Sequence, residues 1–147
     1  VGRAPLVLLD GAHNPAGAAA LAAELPSVMG DRPIVLIFAV MADKDWRAML
    51  TPLLPLVAEV VVTRVGWRGL DPAVVADAVG SARPVRVVAS PQQAVADAVS
   101  AAGPAGGVLV AGSLFLAGEA YAALRGPGAR LFPEWQGWDR FGTGAAP

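Results

Sequence analysis

Apolar residues come along this chain in short runs, each followed by a polar turn and a helical stretch. Residues 6–9, Leu-Val-Leu-Leu, are the first run. A run of that length bounded by turn residues reads as a buried strand. Asn14 suits a helix N-cap and Pro15 the first helical position, so a helix is expected at 15–25, ended by Pro26 and Gly30. Residues 34–40 are nearly all apolar and predict a second strand. Trp46, Met49, Leu50, Leu53 and Leu54 then recur at the i, i+3, i+4, i+7 spacing of one helix stripe. A third strand is expected at 57–63, a polar loop at 64–70, and a short helix at 73–79 opened by Asp71-Pro72 and closed by Gly80. Residues 85–88 predict a fourth strand, and Ser90-Pro91 opens a helix to residue 102. Residues 107–111 predict a fifth strand, and a last helix covers 114–124. This strict βα beat predicts an α/β fold, a mostly parallel sheet with helices on both faces. Parallel strands covered on both faces read as continuous apolar runs, as these do.

The beat stops after Arg125. Residues 126–147 carry Pro127, Pro133 and Pro147, several glycines, and Phe132, Trp135, Trp138 and Phe141. The chain thus divides into an α/β domain at 1–125 and a Pro/Gly/aromatic tail at 126–147. The tail's aromatics suggest docking on a surface, and its end is expected to be loose.

Composition narrows the function. A chain of 147 residues, 55% hydrophobic, can bury the core of one domain. Its 11 basic and 12 acidic side chains leave a net charge of −1, so there is no basic excess to meet a phosphate backbone, and nucleic acid is not an expected partner. The apolar runs are too short to span a bilayer, so no membrane association is expected. The first residues do not read as a signal peptide, which makes a cytoplasmic domain the expectation. With no cysteine and one histidine, no disulfide, thiolate or multi-histidine site is available, and no metal site is expected in this chain.

The unusual polar residues fall where strands end. Asp10 and His13 follow the first strand; Asp43, Lys44 and Asp45 the second; Arg64 and Arg68 the third; Ser113 the fifth. All belong to one predicted edge of the sheet, the edge at which open α/β sheets bind ligands. Each also has a structural reading. Asp10 either stabilises its loop through backbone amides or accepts from ribose hydroxyls or pairs a bound cation. His13 is either a solvated loop residue or a ligand contact. Asp43-Lys44-Asp45 is either a solvated helix start or places Lys44 on a phosphate. Ser113 caps the last helix, whose free amides also form an anion site. Gly11 and Gly112 are either turn glycines or supply conformations that other residues resist. Several motifs are missing: GxGxxG after the first strand, GxxxxGK[ST], and a GxSxG elbow around Ser90 or Ser113. The strand-end acids would suit a phospho-receiver, but no lysine ends the fifth strand.

Three segments in order carry a resemblance. Asp10-Gly11-Ala12-His13-Asn14-Pro15 resembles the DGAHNP motif of bacterial folylpolyglutamate synthases and dihydrofolate synthases, members of the Mur ligase superfamily. Ala42-Asp43-Lys44-Asp45, with Met49-Leu50, resembles the family's DKD segment. The stretch from Val110 to Glu119 resembles its GSLYLVGE segment. The resemblance implies a Rossmann-like carboxy-terminal domain with a mostly parallel sheet of five or six strands, the sixth a candidate antiparallel edge strand in the tail. It implies an ATP-dependent ligase that adds L-glutamate to folate or dihydropteroate through an acyl phosphate, with a P-loop and Mg2+ ligands in an amino-terminal domain. Arg3 lies too close to Asp10 to be the family's upstream ATP-binding arginine, so a fragment that is inactive by itself, and monomeric, is expected. By resemblance, Asp10 contacts the nucleotide, and Lys44 is a further nucleotide candidate. His13 holds glutamate or the reacting phosphate, Ser113 holds glutamate, and Arg68 stands in the loop where the family has an arginine. Another Mur-type ligase, or a non-catalytic α/β binding module, remains the alternative.

Overall fold

A computed structural model describes residues 4–125. The apolar runs pair as one parallel sheet of five strands: β1 (Leu6–Leu9), β2 (Ile34–Phe38), β3 (Glu59–Val62), β4 (Val85–Val87) and β5 (Gly107–Ala111). Their spatial order is β1-β5-β2-β3-β4. The last strand therefore enters between the first two, with Leu8 opposite Leu109 and Leu36 opposite Leu109 on its other side. The helices are α1 (Pro15–Met29), α2 (Trp46–Leu50), α3 (Pro72–Val79), α4 (Pro91–Ala102) and α5 (Leu114–Arg125).

Side-chain parity sorts the core into two layers, because successive residues of a strand point to opposite faces. Leu36, Phe38, Val60, Val62 and Leu109 pack with buried residues of α1, α2 and α3. Val35, Ile37, Val61, Val108 and Val110 pack with those of α4 and α5. The expected α/β class, with helices on both faces, is borne out. Five strands lie among the described residues. The candidate sixth strand and the tail aromatics lie outside them.

Boundaries differ from expectation where proline intervenes. α1 does not stop at residue 25 but runs through Pro26 to Met29. Pro26 sits on the exposed side and removes one donor, to the Ala22 carbonyl, while Leu25 and Met29 one turn apart stay buried and hold the helix to the sheet. The stripe after β2 is buried as predicted at Trp46, Met49, Leu50 and Leu53, yet α2 ends at Leu50 and a 3-10 turn follows at Leu54–Leu56. Pro52 and Pro55 cannot donate to the Ala48 and Thr51 carbonyls, so a continuous helix lacks two bonds in consecutive turns. β2, β3 and β4 each end short of residues 40, 63 and 88, although Thr63 N–H still reaches Phe38 O at 3.1 Å and Val88 N–H reaches Val62 O at 3.0 Å. At the β4 edge Arg86 pairs with Glu59 of β3, and that hydrogen-bonded carboxylate holds the guanidinium above its ordinary pKa.

Candidate functional site

The topology brings the carboxyl ends of β1, β5 and β2 side by side, and the loops after them meet those after β3 and β4. A concavity of about 1040 Å3 opens there. His13, Lys44, Arg68 and Ser113 all line it, from four different loops. Asp10 and Asp45 do not.

The first loop is shaped by its own side chains. Asp10 Oδ1 accepts from Ala12 N–H at 2.7 Å, a local turn that lifts the chain out of β1. Asn14 Oδ1 then accepts from Gly17 N–H at 2.7 Å and caps α1. Between them, His13 Nδ1 lies 2.9 Å from Gly11 O. A carbonyl only accepts, so Nδ1 carries the proton and Nε2 is the nitrogen left for a ligand.

Ser113 is buried, and its Oγ accepts from Phe115 N–H at 3.1 Å. It is thus the cap of α5, as one of its two readings had it, at the wall of the concavity. Gly112 just before it adopts φ +111° and approaches Ala39 so closely that a Cβ would fall 2.3 Å from the Ala39 carbonyl oxygen. Gly11 has no positive φ; a Cβ there would meet only the flexible end of Leu114, at 2.7 Å.

The loop after β3 is fastened to the loop after β2. Ala42 N–H donates to Arg68 O at 3.0 Å and Leu70 N–H to Val40 O at 2.8 Å, around an antiparallel bridge between Met41 and Gly69. Lys44, Arg64 and Arg68 line the concavity against the acids Asp43 and Glu119, so its wall carries a cationic excess before His13 is counted. Such a wall suits phosphate or carboxylate groups. Sequence reasoning missed Trp67, Phe115 and Glu119 as lining residues. For Phe115 a signal existed: the buried stripe of α5 runs through Leu116, Ala117 and Ala120, and Phe115 lies off it.

Thr63, at the end of β3, is 2% exposed, and its Oγ1 has no hydrogen-bond partner among the described residues. Valine would continue the run of Val60 to Val62 with the same shape and no stranded oxygen. Thr63→Val is expected to raise stability by about 1 kcal/mol, read as a rise of a few degrees in thermal midpoint. A lower midpoint would show that the hydroxyl has a partner.

A family profile described as the Mur ligase glutamate ligase domain matches residues 1–114. The chain belongs to the Mur ligase family. This Mur ligase domain is 40% identical, over 124 residues and 82% of its length, to a probable bifunctional folylpolyglutamate synthase/dihydropteroate synthase of Halobacterium salinarum. It superposes on folylpolyglutamate synthase of Mycobacterium tuberculosis complexed with ADP and AMPPCP, with TM-score 0.72 and 32% identity over 84% of the chain. It also superposes on the bifunctional folylpolyglutamate synthase/dihydrofolate synthase of Yersinia pestis complexed with AMPPNP and Mn ion, with TM-score 0.74 and 28% identity over 82% of the chain. The resemblance read from the three motifs is borne out. The Mur ligase domain spans 15% of the Halobacterium relative, 30% of the Mycobacterium chain and 28% of the Yersinia chain.

Proposed function

We propose that this domain is the glutamate- and nucleotide-binding part of an ATP-dependent ligase that joins L-glutamate to folates, to dihydropteroate, or to both. The observation that carries the reading is the gathering of His13, Lys44, Arg68 and Ser113 around one cationic concavity in a Mur ligase domain. The γ-phosphoryl group of ATP passes to a carboxylate of the acceptor, and ADP leaves. The amine of L-glutamate then attacks the acyl carbon, so that a C–N bond forms, the C–O bond to phosphate breaks, and the amine gives up a proton.

Each site residue has a place in this scheme. Lys44 meets nucleotide phosphate as a point charge. Asp10, beside the concavity, accepts from the nucleotide. Arg68 pairs with a glutamate carboxylate, and Ser113 with the amino end of α5 holds another. His13, its Nδ1 fixed by Gly11 O, offers Nε2 to glutamate or to the reacting phosphate. The domain's contribution is alignment of the amine and exclusion of water that would hydrolyse the acyl phosphate. A divalent cation, Mg2+ in this reading, neutralises phosphate charge when bound. The described residues contain no group of three His, Cys, Asp or Glu that could hold it, so its ligands and the P-loop are assigned to a further domain. Among the described residues no helix is long and apolar enough to cross a membrane, in keeping with substrates that are all water-soluble.

The test is ADP release by the protein joined to its P-loop domain, with Mg2+. Release that requires both L-glutamate and a folate or dihydropteroate acceptor is expected, and none from the 147-residue chain by itself. Release without glutamate dependence would overturn the ligase reading. Full turnover by the 147-residue chain would overturn the division of labour.

A further inference from the structure

Gly66 and Gly69 share the loop after β3 and are glycine for opposite reasons. Gly66 has φ +57° and nothing within 4 Å of the position of a Cβ. Gly69 has no positive φ, yet a Cβ there would fall 2.3 Å from Val65 O and 2.9 Å from Val65 N. Those are backbone atoms, and Val65 is 2% exposed in the layer under α4 and α5, so they cannot retreat as a flexible side chain would. Gly69 also faces the loop after β2, where it pairs with Met41 in the antiparallel bridge. The bonds from Ala42 N–H to Arg68 O and from Leu70 N–H to Val40 O flank that pair. Residues 68–70 are thus held between buried Val65 and the β2 loop, which is rooted in buried Val40. Arg68 is the cation of this segment, and it lines the concavity. Lys44 lines it from the β2 loop, where its N–H donates to Met41 O at 3.2 Å.

We propose that Gly69 is a positioning residue for glutamate binding: with no side chain, it lets the β3 loop seat on the β2 loop and so places Arg68 at the concavity. The inference rests on the ligase reading, in which Arg68 pairs with a glutamate carboxylate. A methyl at position 69 pushes residues 68–70 outward, because Val65 and Val40 are both fixed in the core. The bonds to Ala42 and Val40 then lengthen, and Arg68 leaves its place. Lys44 keeps its place, since its turn closes within the β2 loop. The effect therefore falls on glutamate and spares the nucleotide.

The test uses the full protein with its P-loop domain. KM for L-glutamate and for ATP is measured for Arg68→Ala, Gly69→Ala, Gly66→Ala and the double variant Gly69→Ala/Arg68→Ala. Arg68→Ala is expected to raise KM for glutamate about tenfold, the loss of one charge-assisted pair. Gly69→Ala should match it while KM for ATP stays within about twofold, and Gly66→Ala should leave both within about twofold. In the Gly69→Ala background, Arg68→Ala should add less than about threefold, because the contact is already lost. Effects that multiply would overturn the assignment. So would an unchanged KM for glutamate in Gly69→Ala, or equal rises for glutamate and ATP, the signature of a loop that has merely come loose. Ala42→Pro carries the test if Gly69→Ala does not fold. Ala42 is exposed, and proline removes the N–H that donates to Arg68 O, so KM for glutamate should again rise, and no rise would overturn the assignment. Arg68→Ala without effect would remove the inference, while glutamate-dependent ADP release by the wild type would keep the ligase reading. A wild type without that release removes both.

Discussion

Gly112→Ala is expected to lower the stability of the domain by about 3–5 kcal/mol and its thermal midpoint by about 10 °C or more. Two separate penalties combine. At φ +111° an L-residue is strained whatever surrounds it. The new methyl would also lie 2.3 Å from Ala39 O, a backbone atom at the end of β2 that has nowhere to go between β5 and β3. Gly66→Ala separates the two penalties. Gly66 has φ +57° with nothing within 4 Å of the position of a Cβ, so its alanine should cost only the conformational part, about 1 kcal/mol. Thermal unfolding of both variants checks the claim. Equal shifts would show that the approach of Gly112 to Ala39 is not tight. Gly112→Ala should also abolish turnover, because a backbone shift that relieves the clash with Ala39 O displaces Gly112 N–H, which donates to Ala12 O at 3.1 Å and ties the His13 loop to the Ser113 loop.

That tie was only partly legible in the sequence. The type and order of the elements could be read, because β1, β2 and β5 are continuous apolar runs, β3 is one after Glu59, and three helices open on cap-plus-proline pairs, at Asn14-Pro15, Asp71-Pro72 and Ser90-Pro91. The sorting of strand residues into two faces follows from parity alone. The entry of β5 between β1 and β2 could not be read, since strand pairing is non-local and β1, β2 and β5 are all apolar throughout. Proline misled twice, in opposite directions: α1 passes the single exposed Pro26, whereas the helical stripe after β2 breaks where Pro52 and Pro55 remove donors from consecutive turns. At the site, polarity at strand ends pointed to His13, Lys44, Arg68 and Ser113, which the structure brings together. Trp67 and Phe115 escaped because the search was for charged and polar residues at strand ends, although Phe115 lies off the apolar stripe of α5 and Trp67 lies in a loop expected to be polar. Asp10 shows the remaining gap: sequence position alone did not separate a turn-forming acid from a ligand contact.

Asp10→Ala is expected to lower kcat/KM for ATP about 100-fold in the full protein, with a loss of about 1–3 kcal/mol in stability. The stability loss follows from geometry. Ala12 is buried, its N–H is satisfied by Asp10 Oδ1 at 2.7 Å, and removing the acceptor strands that donor. The loop would then no longer hold His13 in register with Gly11 O. Asp10→Asn tests the charge apart from the turn, since the amide keeps a carbonyl oxygen where Oδ1 now accepts. Its stability should stay within about 1 kcal/mol of wild type. If the carboxylate also accepts from the nucleotide, as proposed, Asp10→Asn should still raise KM for ATP about tenfold while leaving KM for glutamate unchanged, a difference of about 1.4 kcal/mol at the nucleotide alone. Unaltered ATP use by Asp10→Asn would leave the residue a turn-forming acid only. Asp10 lies outside the lining of the concavity, so the nucleotide would then be held by Lys44 and its neighbours without it.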